Sequence, residues 1–118
     1  RACANATSFS DGANRLTTDI ADWFERSGFS EGCPVTSVLL ETVPGSERLT
    51  AACQAIFQAW IETTEAHALR LVRTDANALA TGLLIALEGA WIVARAQRSR
   101  RPFEIAAAML INSLDRAC

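Results

Sequence analysis

Residues 78–94 read ALATGLLIALEGAWIVA, and this segment is the most informative part of the sequence about the fold. Apolar side chains occupy every side of a helix drawn through it, and Glu88 is its only charged residue. A helix that is apolar on all sides must be covered on all sides. The stretch therefore predicts a central helix, from about Asp75 to Gln97, that packs between other helices.

The two sides of this central helix differ in the size of their residues. At about 100° per residue, larger residues and Glu88 share one side, and small residues form a seam on the other. The seam consists of Gly82, Ala86, Gly89 and Val93. Small residues let another helix approach closely, so we expect a second subunit to cover the seam. The alternatives are packing inside the chain and a membrane span, in which Glu88 would be costly.

The composition of the whole chain also favours helices. Its 118 residues include 22 alanines, six glycines and three prolines but no lysine and no tyrosine, and 50% are hydrophobic. Alanine is the best helix former and lacks the branched or aromatic bulk that strands favour. We therefore expect one all-α domain over residues 1–118. Its net charge of −2 is a poor match for a nucleic-acid backbone.

Glycine and proline divide the chain into about five predicted helices. The first runs from about Gly12 to Ser27, with Ser10 or Asp11 as its cap and Gly28 as its left-handed stop. Residues before it are expected to fray. The second begins at Pro34, and its inward-facing residues are predicted to be Val35, Val38 and Leu39.

The third predicted helix begins at a Ser46 cap and runs to Arg73. One apolar stripe recurs along it at steps of three and four residues, and acidic and amide side chains lie opposite. The stripe includes Leu49, Cys53, Ile56, Phe57, Trp60, Thr64 and His67. The fifth helix begins at Pro102.

Little in the sequence supports catalysis or metal binding. His67 is the only histidine and has no acidic residue on its stripe, and Cys53 lies about 21 Å away along the helix axis. No pair of cysteines has the short spacing of a zinc site. We therefore predict no enzyme activity, no cofactor and no metal. His67 is either a hydrogen-bonded residue at the edge of the core or a ligand contact.

Glu88 requires a partner, because a carboxylate on an apolar helix loses its hydration. Arg95 is one possible neighbour. A structural anchor and a polar group that orients a ligand both remain open as the role of Glu88. The three tryptophans, without any tyrosine, suit either a packed core or a cavity for flat apolar ligands.

Two further features have competing interpretations. The only basic cluster comprises Arg95, Arg98, Arg100 and Arg101. A solvated turn at a helix end is favoured over nucleic-acid contact, since cations there complement the helix dipole. Cys33, just before Pro34, is either a small buried capping residue or a reactive thiol. The four cysteines are expected to be unpaired in a reducing, cytoplasmic compartment.

Several segments resemble the carboxyl-terminal domain of TetR/AcrR-type transcriptional regulators, in the drug-responsive branch that includes LmrA and YxaF. ERSGFSEGCPV at 25–35 resembles the link between the first two helices of that domain. The likeness continues with SERL at 46–49, FQAW at 57–60, ALAT at 78–81, LEGA at 87–90 and ARA at 94–96. It covers about residues 16–114.

The resemblance implies the effector-binding and homodimerising domain of a cytoplasmic repressor. In that family a helix-turn-helix domain precedes this one and binds the operator DNA, and ligand binding releases the operator. Arg1 is not methionine, so we expect the chain to be part of a longer protein. The ligand is expected to be small and apolar or aromatic, and no membrane is expected as a partner. A helical interaction domain without any small ligand is the alternative.

The resemblance also implies two sets of residues. The pocket would lie among the first four helices, and with His67 from the apolar stripe its predicted residues are Trp23, Leu39, Phe57, Trp60, Thr64, His67, Glu88 and Trp91. The last two helices would form a four-helix bundle with those of the partner subunit. The predicted dimer contacts are Gly82, Ala86, Gly89, Val93, Ile105 and Met109.

Overall fold

The computed structural model describes the backbone of residues 2–71 and 75–116 and the side chains of residues 9–69 and 75–113. Within these ranges the chain forms helices and no strand, so the all-α prediction is confirmed. The helices are α1 (Ala2–Arg26), α2 (Pro34–Thr42), α3 (Glu47–Leu71), α4 (Ala76–Gln97) and α5 (Arg101–Arg116). The predicted helix end at Arg73 and the side chains of Cys3 and Cys118 lie outside the described residues.

The core lies where α1, α4 and α5 meet. Helix α1 packs against α5, α4 packs against both α3 and α5, and α2 covers part of α3. Phe24 of α1 and Phe103 of α5 are fully buried, with their ring centroids 5.8 Å apart. Small residues of α4, such as Ala90 and Ala94, complete this core and let the neighbouring helices approach.

Local sequence signals set most of the helix ends. Gly28 ends α1 with a φ of +75°, a conformation that glycine adopts without a steric penalty. Pro34 is the first residue of α2. The Ser46 hydroxyl accepts a hydrogen bond from the Leu49 N–H at 3.2 Å, and the Asp75 carboxylate caps α4. The predicted signals at Gly28, Pro34 and Ser46 are confirmed, and the Asp75 cap lies at the predicted start of α4.

Two predictions about the first helices are wrong. Helix α1 begins at Ala2 and not near Gly12, so Ser10 lies inside the helix, buried next to Phe9. Burial of Phe9 and Ala13 against the core stabilises this additional length of helix. In α2 Val35 and Leu39 are half-buried and Val38 is exposed, so Val38 does not face inward as predicted, because α2 covers the outside of α3.

The domain is a flattened body of 46 × 31 × 18 Å. Its radius of gyration is 15.1 Å, whereas a compact domain of this length has about 13.5 Å.

Helix α4 is long and apolar enough to cross a membrane, by length and composition only, and core helices of soluble proteins pass the same test. Large hydrophobic side chains, such as those of Ile85 and Met109, are exposed on the single chain.

Candidate functional site

An apolar cavity of about 400 Å³ lies between α1, α2, α3 and α4. We call it the main cavity. Its size falls within the range of pockets that hold small organic molecules. The residues that line it are Leu16, Ile20, Cys33, Pro34, Trp60, Thr63, Thr64, Ala80, Leu83, Leu84, Leu87, Glu88 and Trp91.

Helix α4 supplies one long wall of the main cavity. Its lining residues recur at steps of three and four, from Ala80 through Leu84 and Leu87 to Trp91. The same helix buries Leu83, Leu87 and Ala90 in the core. The side of α4 that carries its large residues therefore serves both the core and the cavity.

Trp91 forms a fixed end of this wall. Its indole N–H donates a hydrogen bond to the backbone carbonyl of Glu31 at 2.8 Å. The ring also packs edge-on against Trp23, with centroids 5.9 Å apart, and against Phe103, with centroids 6.1 Å apart. The polar edge of Trp91 is thus satisfied by backbone, and its position is set by two aromatic neighbours.

Glu88 is the carboxylate in the lining of the main cavity. The Thr36 hydroxyl donates a hydrogen bond to Glu88 Oε2 at 2.5 Å, which ties α2 to α4. Among the described residues every ion pair belongs to Arg100, so Arg95 is not the ion-pair partner of Glu88. The Arg95 guanidinium lies beside Gly32 instead.

The two threonines of α3 in the main cavity use their hydroxyl protons within the helix. Thr63 donates to the carbonyl of Ala59, and Thr64 donates to the carbonyl of Trp60, each at 2.9 Å. Their oxygens keep lone pairs that accept further hydrogen bonds. The cavity wall therefore offers acceptors rather than donors at these positions.

A second cavity of about 350 Å³ adjoins the first on the side of the amino-terminal half of α1. Leu16, Thr63, Thr64 and Leu83 line both cavities. The other residues around the second cavity are Phe9, Gly12, Ala13 and His67. The two cavities are thus neighbours that share a wall.

The structure distributes the predicted pocket residues over three locations. Trp60, Thr64, Glu88 and Trp91 line the main cavity, and His67 lines the second. Trp23 contacts Trp91 from outside the lining, and Phe57 packs on Trp60 with ring centroids 5.7 Å apart. Leu39 does not line either cavity.

Sequence reasoning missed most of the aliphatic wall. Leu16 and Ile20 of α1 lie four residues apart and line the cavity together, as do Leu83 and Leu87 of α4. Their spacing is a signal of a shared helix face, but it does not distinguish a packed core from the wall of a cavity.

Cys33 lies in the main cavity wall at the start of α2 and is buried. Its side chain makes no capping hydrogen bond. Burial raises the pKa of the Cys33 thiol, and the nearby Glu88 carboxylate raises it further. A thiol of this kind is protonated at neutral pH, which argues against the reactive-thiol interpretation.

The basic cluster contains a structural ion-pair network. Arg100 lies 2.7 Å from Asp22 and 3.0 Å from Glu25, both on α1, and 3.4 Å from Glu104 on α5. The hydrogen bond that Arg100 donates to the Asp22 carboxylate is the main reason that the pKa of Arg100 is raised. One of the four arginines therefore joins two helices, as expected for a role other than nucleic-acid contact.

The opposite side of α4 has no partner within the described residues. Gly82 and Gly89 are exposed there, Ala86 is half-buried, and a Cβ atom added at either glycine meets no atom within 4 Å. Val93 is exposed on the same side, and so are Ile85 (67%) and Ile92 (53%), which sequence reasoning missed. Ile105 and Met109 are exposed on α5. These residues make up what we call the open face.

The described side chains include no group of three histidine, cysteine, aspartate or glutamate residues that converge to hold a metal ion.

Comparison with known families gives one match, the transcriptional regulator LmrA/YxaF-like, C-terminal domain, over residues 10–109. Searches of curated proteins and of solved structures found no match. The matched region includes every residue that lines the main cavity and every residue of the open face, and it agrees with the resemblance seen in the sequence. The chain therefore belongs to the LmrA/YxaF-like C-terminal domains of TetR-type transcriptional regulators.

Proposed function

We propose that this domain is the effector-sensing and homodimerising part of a cytoplasmic TetR-type repressor. A small apolar or aromatic molecule binds in the main cavity and is not chemically transformed. The observation that carries the proposal is the cavity itself, about 400 Å³ with aliphatic and tryptophan walls. A ligand in this cavity shifts the equilibrium between two conformations of the domain when it binds one of them more tightly.

The arrangement of helices supports a coupling between ligand and dimer. Helix α4 lines the main cavity on one side and carries the open face on the other. A ligand that favours one position of α4 therefore changes the surface presented to a second subunit. In the complete regulator this change would alter the spacing of two amino-terminal DNA-binding domains and release the operator, provided that the ligand has different affinities for the two states.

The open face supports homodimerisation. Exposed isoleucine, valine and methionine side chains surround the two glycines, and contiguous apolar surface of this kind is typical of subunit interfaces. A twofold contact between copies of α4 and α5 buries this face in both subunits at once. The residues proposed for the contact are Gly82, Ala86, Gly89, Val93, Ile105 and Met109, together with Ile85 and Ile92.

A thermal-shift screen with a panel of hydrophobic dyes and drugs tests the ligand proposal. A binding compound stabilises the folded state, and it also changes the fluorescence of the tryptophans around the cavity. Thr64→Phe places a ring in both cavities and should abolish the shift. Ala66→Phe, on the exposed side of the same helix, is the matched control and should leave it unchanged.

The competing proposal is a helical interaction domain with no small ligand. In that case no compound produces a thermal shift or quenches tryptophan fluorescence, and Thr64→Phe increases the stability of the domain by filling empty volume. That combination would contradict the effector proposal while leaving homodimerisation intact.

A further inference from the structure

The hydrogen-bonding groups that line the main cavity indicate which polar groups a small apolar ligand carries. The hydroxyl protons of Thr63 and Thr64 are donated to backbone carbonyls of α3. The Trp91 N–H is donated to the carbonyl of Glu31. Three polar groups of the wall therefore offer no proton to a ligand, and the two threonine oxygens still accept.

The charge in the cavity has one sign. Glu88 is the carboxylate of the wall, and the lining includes no lysine, arginine or histidine. The Cys33 thiol beside it stays protonated, because burial raises its pKa. An anionic ligand would meet this carboxylate without a compensating cation, which costs free energy in an apolar environment.

Glu88 accepts a hydrogen bond but has no ion-pair partner within the described part of the chain. Its Oε2 atom accepts from Thr36, and no ion pair to Glu88 occurs among the described residues. Arg95 and Glu88 both line a small neighbouring cavity, but the Arg95 guanidinium lies beside Gly32. The Thr36 hydroxyl and the neighbouring Cys33 thiol are both uncharged donors, so a positive charge stabilises this half-buried carboxylate further.

The aromatic walls favour the same kind of ligand. Trp60 and Trp91 both line the main cavity with Glu88. The face of an indole ring carries negative electrostatic potential and attracts cations more strongly than other aromatic rings do. Tryptophan also packs well against flat aromatic ligands. Aromatic surface and a single carboxylate together suit an aromatic ring that carries a protonated nitrogen.

Resting on the proposed function, we infer that the ligand class of the main cavity is small aromatic amines, bound with the protonated nitrogen at Glu88 and the ring between Trp60 and Trp91. The ammonium N–H groups donate to the Glu88 carboxylate and to the threonine oxygens. Neutral aromatic molecules of the same shape bind more weakly, and aromatic carboxylates bind weakest.

Three naphthalene derivatives of nearly equal size test this inference. They are 2-naphthylmethylamine, which is a cation at pH 7, 2-naphthylmethanol, which is neutral, and 2-naphthoate, which is an anion. Isothermal titration of the 118-residue chain should give an affinity for the amine at least tenfold above that for the alcohol, with the naphthoate weakest. Glu88→Gln should remove the preference, so that the amine and the alcohol bind with equal affinity.

Two further variants separate the charge of Glu88 from its structural role. Thr36→Val removes the same link between α2 and α4 but keeps the carboxylate, so it should retain the preference for the amine. Glu62→Gln, on α3 outside the cavity lining, removes one negative charge elsewhere and should also retain it.

Equal binding of amine and alcohol, or an undiminished preference in Glu88→Gln, would overturn the amine inference while the proposed function stands, because the cavity still binds aromatic molecules. Loss of the preference for the amine in both Thr36→Val and Glu88→Gln would also overturn the amine inference. The preference would then depend on the hydrogen bond between α2 and α4 and not on the charge of Glu88. Binding of none of the three compounds would overturn both.

Discussion

Arg100 Nη1 lies 2.7 Å from Asp22 Oδ1, and this contact joins the turn before α5 to the last part of α1. The same guanidinium group also contacts Glu25 and Glu104. A single arginine thus connects three carboxylates at the end of the domain where Phe24 and Phe103 form the core. Because α5 contributes to both the core and the open face, this contact helps to orient the surface that we propose for dimerisation.

Arg100→Gln should lower the free energy of unfolding by about 1 kcal/mol, since partly exposed ion pairs contribute modestly even in a network. The loss should shrink as salt is raised, because salt screens the charges that the substitution removes. Urea unfolding at low and at high sodium chloride measures both effects. Arg101→Gln, an exposed neighbour without an ion pair among the described residues, should change stability little. Equal effects of the two substitutions would contradict the network.

Phe103→Ala should cost about 3–5 kcal/mol of stability, because it removes a fully buried ring and leaves a cavity between α1 and α5. Phe57→Ala, at a half-buried ring on α3, should cost clearly less. Denaturant midpoints of the two variants provide the comparison, and Phe103→Leu replaces Phe103→Ala if the latter does not fold. A larger loss of stability in Phe57→Ala than in Phe103→Ala would contradict a core at the meeting point of α1, α4 and α5.

Gly89→Arg should convert the domain from dimer to monomer. The glycine is exposed on the open face, and a side chain there meets no atom within 4 Å of the added Cβ, so the single chain accommodates it. Replacing a helical glycine even raises helix propensity by about 0.5–1 kcal/mol. Sedimentation at micromolar concentration measures the change, with Ala55→Arg on the exposed side of α3 as the control. A wild-type monomer, or a Gly89→Arg dimer, would contradict the proposed interface.

Cys33 should react slowly with iodoacetamide at pH 8 in the folded protein. Folding raises the pKa of this thiol above its ordinary value of about 8.5, so the reactive thiolate is scarce at that pH. The contribution of this protonated thiol to the free energy of unfolding is fully present below the pKa that the thiol has in the unfolded chain. It is lost as the pH rises through the higher pKa that the thiol has in the folded protein. Peptide mass spectrometry of alkylated protein, compared with protein in urea, measures the protection. Rapid alkylation of folded Cys33 at pH 8 would contradict the buried position.

Sequence reasoning predicted the elements whose signals are local. Gly28, Pro34, Ser46 and Asp75 each act within a few residues of their position, through backbone conformation or capping. The start of α1 had no such signal, because its extra turns are held by the burial of Phe9 in a core assembled from distant helices.

The polar contacts of the site were not predictable for the same reason. Thr36 and Glu88 are separated by 52 positions, and Trp91 and Glu31 by 60, so each pair is set by helix packing and not by spacing along one helix. Arg95 was one possible neighbour of Glu88 because both lie on α4, but the hydrogen-bond partner in the structure is Thr36 of α2. The aromatic part of the wall was more accessible to prediction, since Trp60 and Trp91 stand out by residue type alone.

Binding of small aromatic molecules in the main cavity underlies the proposed function. Intermolecular nuclear Overhauser effects between 2-naphthylmethanol and the isotope-labelled domain locate the bound ligand. We expect the ligand protons to lie close to the indole protons of Trp60 and Trp91 and to the methyl group of Thr64. Contacts confined to Ile85 and Ile92 on the open face, with none to the two tryptophans, would contradict it.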